Sequence, residues 1–133
     1  MQNVWGMLRT LAQVVIVWTR PHPELVAATD GRHIWIDPKL TKAERHCFLA
    51  HEAIHIKQGH EGCQTGAIER QVCLETAQFL VSFEDLQSVA GWSRSPWDMA
   101  EELGVTEQVV IDRLQTLSGP EIQTLWPPSD HHP

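Results

Sequence analysis

Apolar and polar positions follow strand-like and short helical patterns in the first third of this chain. Apolar residues three and four positions apart over 4–12 predict a short amphipathic helix, and the β-branched run 14–18 predicts a buried strand. A β-hairpin is expected from the apolar segments 25–28 and 33–36, because Asp30-Gly31 between them favours a tight turn. These elements predict one helix and a small antiparallel sheet.

Longer helical patterns follow the hairpin. Thr41 and Glu44 have the spacing of a capping box, which predicts a helix over 42–58. Apolar residues between 67 and 89 are too numerous for one narrow stripe, so a second long and largely buried helix is expected there. The central part of the chain is therefore expected to contain two long helices.

Two shorter helices are expected near the C-terminal end. Ser95-Pro96 begins the first and Gly104 ends it, while Thr106 caps the second, so that 96–117 has the outline of a helix-turn-helix. Residues 119–133 show no periodicity and are expected to form an extended tail. We predict a single α+β domain over residues 1–118, with the sheet packed on the helices.

Composition and charge narrow the functional classes. The chain has 133 residues, three cysteines and a net charge of −7. The part of the chain from residue 61 onward carries 3 basic and 12 acidic side chains. Such an acidic half is unsuited to neutralising DNA phosphates. The odd cysteine count without CxxC spacing, and the lack of an apolar run long enough for a signal peptide or a membrane span, predict a cytoplasmic protein with reduced thiols that does not engage a membrane.

The strongest chemical signal is His51-Glu52-Ala53-Ile54-His55, an HExxH pattern inside the helix predicted at 42–58. Two histidines four residues apart share one helix face, so both imidazoles can bind one zinc ion. Glu52 lies one step round the helix, where its carboxylate can act as general base on water at the open coordination position. The plainer interpretation is a pair of core histidines satisfied by hydrogen bonds.

The third zinc ligand is less certain from the residues alone. Gln58 and Glu61 stand where a metzincin would need glycine and histidine, which excludes that class. His60 is expected only at the rim of the site. Periodicity along the second long helix leaves Glu69 and Glu75 equally placed to complete the metal centre.

Several segments resemble the ImmA/IrrE family of metallopeptidases, and most closely a compact branch from actinobacteria and phages. The similarity covers roughly residues 25–118 and is carried by the HExxH pattern and these segments: Ile34-Trp35-Ile36-Asp37, Ala43-Glu44-Arg45, Leu49-Ala50-His51-Glu52, Trp92-Ser93-Arg94 and Ala100-Glu101-Glu102-Leu103. The resemblance implies a minimal zincin-like fold with Zn²⁺ as cofactor. By position it also implies Glu69 as the ligand from the second helix.

One departure from that family concerns Cys73, which stands where relatives usually carry an acidic or amide residue that supports a metal-bound histidine. Loss of such a supporting group commonly lowers metal affinity or activity about 10- to 100-fold. Alternatively, the Cys73 thiolate could itself bind zinc. We therefore rank Glu69 first, Glu75 second and Cys73 third as the remaining ligand.

These features predict a zinc-dependent endopeptidase in which Glu52 transfers the proton of water to the leaving amine. The strand His33-Ile34-Trp35-Ile36 is expected to bind an extended substrate by edge pairing. The resemblance further implies a protein substrate, typically a helix-turn-helix transcriptional repressor of a phage, mobile element or stress regulon. The chain contains no tyrosine, so a phenol cannot stabilise the oxyanion.

Two other functions are compatible with the sequence. The first is a zincin scaffold that binds a regulator without cutting it, which the cysteine at position 73 makes more plausible. The second is a DNA-binding regulator that uses residues 96–117. We do not favour the latter, because the residues expected to be exposed on its second helix, Glu107, Gln108, Asp112, Arg113 and Gln115, include one arginine against two acids.

Overall fold

The computed structural model describes residues 3–11, 13–62 and 64–128 and has an α+β architecture. Within these ranges a small three-stranded sheet packs against a set of helices. The elements in chain order are α1 (Val4–Thr10), β1 (Val15–Val17), β2 (Ala27–Thr29), β3 (His33–Ile36), α2 (Lys42–Lys57), α3 (Gly66–Leu80), α4 (Phe83–Ala90), α5 (Pro96–Leu103), α6 (Glu107–Gln115) and α7 (Gly119–Leu125).

The sheet is mixed, which corrects the expectation of an antiparallel one. Its strand order is β1-β3-β2, with β1 parallel and β2 antiparallel to β3. The β1 segment is an edge strand with Val15 51% exposed, so the expectation of a buried strand was wrong. The error has a physical cause: the partner of β1 is the distant strand β3, and local periodicity carries no information on such pairing.

The expected hairpin is confirmed as the β2–β3 pair, in which Thr29 lies opposite Ile34. Its turn is longer than a two-residue turn and is held by the Asp30 carboxylate, which accepts hydrogen bonds from the backbone N–H groups of Arg32 and His33. Gly31 adopts a φ of +100°, a conformation that favours glycine. The Asp-Gly pair therefore forms the turn, with only the glycine in the left-handed region.

Helix α2 begins as the sequence predicted. The Thr41 hydroxyl accepts the backbone N–H of Glu44, whose carboxylate accepts the backbone N–H of Thr41 in return. The helix buries Leu49, Ala50 and neighbouring apolar residues against the sheet, α1 and α3. It is the central helix of the domain and carries the HExxH pattern.

The single long helix expected at 67–89 is two helices, α3 and α4. Val81 takes an extended conformation, and Ser82 starts α4 with a capping box to Asp85. The hydrophobic pattern continues across this break because both helices face the core, so periodicity alone could not locate it. The spacing Ser82-x-x-Asp85 is the sequence signal that marks it.

The paired helices α5 and α6 are confirmed, with Gly104 ending α5 at a φ of +73°. The expected tail is wrong over residues 119–125, which form α7 behind a Ser118 cap. This helix buries Leu125, and the indole N–H of Trp126 donates to the Ala90 carbonyl at 3.0 Å. Burial of these apolar side chains explains why the segment is ordered; the rest of the expected tail, residues 129–133, lies outside the described ranges.

No helix within the described ranges is both long and apolar enough to cross a membrane.

Candidate metal centre

Helices α2 and α3 bring three potential metal ligands together. His51 and His55 lie one turn apart on α2, and Glu69 lies in the first turn of α3. The two histidine Nε2 atoms are 3.2 Å apart. One Glu69 carboxylate oxygen is 3.1 Å from Nε2 of His51 and the other is 3.0 Å from Nε2 of His55. We call these three residues the His–Glu cluster.

The chemistry of this cluster fits a divalent cation. Two imidazole nitrogens and a carboxylate form a donor set that zinc uses in catalytic sites. Ligand atoms about 2.0–2.2 Å from one tetrahedral zinc ion lie roughly 3.3–3.5 Å from one another, which is close to the observed 3.0–3.2 Å. The cluster could therefore hold a metal ion after only small side-chain shifts.

The other two candidate ligands lie elsewhere. The Glu75 carboxylate accepts hydrogen bonds from the side-chain amides of Gln58 and Gln71 and is not part of the group that could hold a metal. The Cys73 sulfur lies 3.9 Å from Nδ1 of His51, the ring nitrogen that is not part of the cluster. The structure thus places Glu69, and neither alternative, beside both Nε2 atoms.

Glu52 is a buried carboxylate next to this cluster, with 7% of its surface exposed. Burial, and secondly the charge of Glu69, raise the pKa of Glu52 to about 7. A carboxyl group with this pKa can take up and release a proton near neutral pH, as a general base must. Glu52 is therefore a buried acid that can exchange a proton near neutral pH.

Burial also affects the groups around the histidines. It lowers the pKa of His51, and the nearby His55 adds to this effect, so the His51 imidazole is kept neutral and able to bind a metal. Burial raises the pKa of the Cys73 thiol, with Asp112 and Glu69 acting in the same direction. Cys73 therefore stands beside His51 as a neutral thiol, which is a weaker hydrogen-bond partner than a carboxylate.

His60 is half-buried and contacts one histidine of the cluster. Its Nδ1 is 2.9 Å from Nδ1 of His55, a contact that the sequence did not indicate. The reason is that the chain turns back directly after α2, which brings a residue five positions after His55 alongside its ring. Periodicity ends with the helix and gave no signal for this contact.

A cleft of about 410 Å³ opens beside the cluster. One wall consists of Glu24 to Thr29, which include strand β2, and the other contains Phe48 and the HExxH residues of α2. The predicted substrate strand, His33-Ile34-Trp35-Ile36, is the central strand of the sheet and pairs on both sides, so it cannot bind a peptide by edge pairing. Strand order cannot be deduced from the sequence, which is why the wrong strand of the hairpin was chosen.

Among the residues that the structure describes, strand β2 is the edge of the sheet that borders the cleft. Asp37 N–H donates to the Val26 carbonyl at 2.8 Å, which makes these residues a hydrogen-bonded pair of the antiparallel ladder. Because bonded and non-bonded pairs alternate, Ala27 and Thr29 direct their backbone N–H and C=O groups away from β3. These groups are available to an extended chain in the cleft.

The helix-turn-helix-like pair does not present the surface expected of it. Asp112 and Arg113, predicted to be exposed on α6, are 3% and 8% exposed. Asp112 accepts a hydrogen bond from Arg70 of α3 at 2.8 Å, and Arg113 donates from Nε to the Val81 carbonyl at 2.6 Å. Helix α6 therefore packs on α3 and has no exposed cationic side chain.

Comparison with known proteins gives no relative. No family model matches the chain, and neither curated proteins nor solved structures give a significant match.

Proposed function

We propose that this protein is a zinc-dependent endopeptidase with a minimal zincin-like domain. The observation that carries the proposal is the His–Glu cluster beside the buried carboxylate of Glu52. A structural histidine pair needs hydrogen-bond partners but no acid in the adjacent cleft. A hydrolytic metal site needs both, together with an open side for substrate.

Each residue has a defined part in this proposal. His51, His55 and Glu69 hold the metal, which when bound polarises a carbonyl and makes water more acidic. Glu52 takes the proton from the attacking water and passes it to the nitrogen of the leaving amine. In the metal-free protein, burial and the charge of Glu69 raise the pKa of Glu52 to about 7.

The substrate is proposed to be a polypeptide in extended conformation. Ala27 and Thr29 direct backbone N–H and C=O groups away from β3 along the cleft, and a peptide pairing with them as an additional strand passes over the His–Glu cluster. This replaces the edge pairing with β3. The apolar side chain of Phe48 on the opposite wall favours an apolar substrate residue near the site.

The resemblance to the ImmA/IrrE peptidases suggests which protein is cut. We propose a helix-turn-helix transcriptional repressor, met in the cytoplasm of a bacterium or of a phage-infected cell. The free thiols of Cys47 and Cys73 are compatible with a reducing compartment. A direct role in DNA binding is not proposed, because α6 lacks an exposed cation.

The test uses zinc-loaded wild type and Glu52→Gln with a proteome-derived peptide library and with the repressor encoded nearest the gene. We expect new N-termini with the wild type only, while both proteins retain one zinc ion by elemental analysis. Glu75→Gln is the matched control and should cut normally. Equal cleavage by wild type and Glu52→Gln would refute the assignment of Glu52.

A binding protein without catalytic activity is the second candidate, favoured by one observation. Cys73 supports His51 with a neutral thiol instead of a carboxylate, which weakens the metal centre. In this case zinc binds and the repressor is captured, but no library peptide is cut by the wild type. The same experiment therefore separates the two functions.

A further inference from the structure

We propose that His60 is a positioning residue of the metal centre, which holds the His55 imidazole with its Nε2 directed at the site. The inference rests on the proposed zinc centre and extends it beyond the three ligands and the general base. It assigns a role to a histidine that lies outside the HExxH pattern and outside both long helices.

His60 contacts His55 through both its side chain and its backbone. Nδ1 of His60 lies 2.9 Å from Nδ1 of His55, and the backbone N–H of His60 donates to the His55 carbonyl at 2.9 Å. Only 3% of His55 is exposed. Water is therefore poorly placed to satisfy Nδ1 in place of His60, and the orientation of the ring depends on this neighbour.

The position of the ring protons links this contact to metal binding. One hydrogen atom must lie between the two Nδ1 atoms for them to be bonded at this distance. If Nε2 of His55 offers its lone pair to a metal, the proton of its ring is on Nδ1, and His60 accepts it. His60 then carries its own proton on Nε2. Each ring then has one defined tautomer.

Without metal the opposite arrangement also satisfies the contact between His55 and His60. Nε2–H of His55 can then donate to Glu69, which lies 3.0 Å away, while Nδ1–H of His60 donates to Nδ1 of His55. Imidazole can act as donor or acceptor at one nitrogen, so His60 can support His55 in both states. An aspartate at position 60 could only accept and a lysine could only donate.

The position of His60 is fixed by the β-hairpin. A Cβ atom added to Gly31 would lie 3.5 Å from the His60 carbonyl oxygen and 3.2 Å from Cγ of Glu61. The hairpin turn therefore packs closely on the loop that carries His60. Gly59, with a φ of +79°, lets the chain turn back directly after α2. The backbone that carries His60 is thus held by the hairpin and by the turn at Gly59.

A purely structural role predicts a different experimental result. If His60 only covers the end of α2, its replacement lowers the stability of the metal-free protein and leaves the intrinsic zinc affinity unchanged. A positioning role predicts a loss of intrinsic zinc affinity in addition to any loss of metal-free stability, because His60 also supports His55 without metal. The zinc dissociation constant, measured by competition with a chelator, separates these roles without any assay of proteolysis.

The experiment compares wild type, His60→Ala, His60→Gln and the control His46→Ala, a histidine of α2 outside the site. We expect His60→Ala to weaken zinc binding about 10- to 100-fold, the range typical for loss of a group that supports a metal-bound histidine. The glutamine amide should restore most of the affinity because it can accept the hydrogen bond. His46→Ala should match the wild type.

Nitrogen-15 NMR of the wild type gives a second test that needs no variant. In zinc-loaded protein, His55 should carry its proton on Nδ1 and His60 on Nε2. Zinc affinities of wild type and His60→Ala within twofold of each other, or a proton on Nδ1 of zinc-loaded His60, would overturn the inference. If His60→Ala does not fold, the NMR result and His60→Gln decide the question.

The outcomes for His60 and for the proposed function can be told apart. Zinc binding that depends on His60, in a protein that cuts no peptide, supports the positioning role and refutes the peptidase. Cleavage by a protein whose zinc affinity is independent of His60 has the opposite meaning. Failure of the wild type to bind zinc overturns both.

Discussion

Two polar clusters flank helix α3, and they differ in how their donors and acceptors are balanced. The first, which we call the Arg–Asp contact, comprises two hydrogen bonds between α6 and α3 or its C-terminal cap. Asp112 accepts one from Arg70, and Arg113 donates the other to the Val81 carbonyl. In the second, the His–Glu cluster, two imidazoles and a carboxylate converge within 3.2 Å of one another. The first joins donors to acceptors, whereas the second gathers metal-binding atoms beside an open cleft.

The difference shows how to separate a structural from a functional polar cluster. The Arg–Asp contact is complete within the protein, so it needs no ligand and serves to fasten α6 to α3. The His–Glu cluster gains most from a cation, which all three atoms can bind at once.

Zinc should stabilise the wild-type protein strongly. At a free zinc concentration 1,000 times the dissociation constant, the free energy of unfolding should rise by about 4 kcal/mol, because the ion binds the folded state. Chemical denaturation with and without a chelator measures this gain. The double variant His51→Ala/His55→Ala should lose it, and Arg113→Met should keep it. An equal gain in the double variant would contradict a metal site at the His–Glu cluster.

The second effect is a pH dependence that originates at Glu52. Its pKa in the folded state is raised from 4.5 to about 7, so between these values the folded protein holds a proton that the unfolded chain has lost. Stability of the metal-free protein should therefore fall as pH rises through this window, by on the order of 3 kcal/mol. Glu52→Gln should lack this component.

The pH effect is measured as the difference in unfolding free energy between wild type and Glu52→Gln at about pH 4 and about pH 8. This double difference cancels the contributions of other titrating groups. Glu75→Gln is the control and should follow the wild type at both pH values. A difference independent of pH would show that Glu52 is not held in a desolvated environment.

Glu69 should be the carboxylate on which zinc affinity depends. Glu69→Gln should weaken zinc binding by at least roughly 100-fold, or about 2.7 kcal/mol, because it removes a charged ligand. Glu75→Gln should change the affinity less than about threefold, since its carboxylate is bound by Gln58 and Gln71. Competition with a chelator measures both. The reverse ranking would mean that α3 binds the metal in another register.

The smallest effect is expected at the Arg–Asp contact and should leave the metal centre intact. Arg113→Met removes the donor to the buried Val81 carbonyl and should cost about 2 kcal/mol of unfolding free energy. Zinc affinity should stay within about twofold of the wild type. Arg94→Met is the control, because Arg94 lies exposed over the Trp126 ring and its loss should cost about 0.5 kcal/mol. A large loss of zinc affinity in Arg113→Met would show that the two clusters are coupled.

Helix starts were the most predictable part of the fold. Thr41, Ser95 and Thr106 each cap the helix that the sequence assigned to them. The same chemistry at Ser82 and Ser118 begins α4 and α7, and both were missed. At Ser82 the apolar pattern continued through the break, and at Ser118 a short helix depends on burying Leu125 in a distant part of the core.

The residues of the site likewise fall into those that the sequence could predict and those that only packing placed. His51, Glu52 and His55 follow from helix geometry, because residues on one helix have fixed relative positions. Glu69 could be ranked but not separated from Glu75 by periodicity, since both lie on the same helix and only the packing of α3 on α2 selects one. His60 and the β2 edge left no signal in the sequence, because a loop and the order of strands position them.

By itself, the sequence determined where the main helices begin and that two imidazoles and an acid share one turn of α2. Tertiary structure decided which carboxylate meets those imidazoles, which strand borders the cleft, and that Asp112 and Arg113 are buried. The physical reason is the sequence separation of the residues that interact. Hydrogen bonds within a helix involve residues three or four positions apart and leave a local pattern, whereas ligand convergence and strand order arise from packing between distant segments.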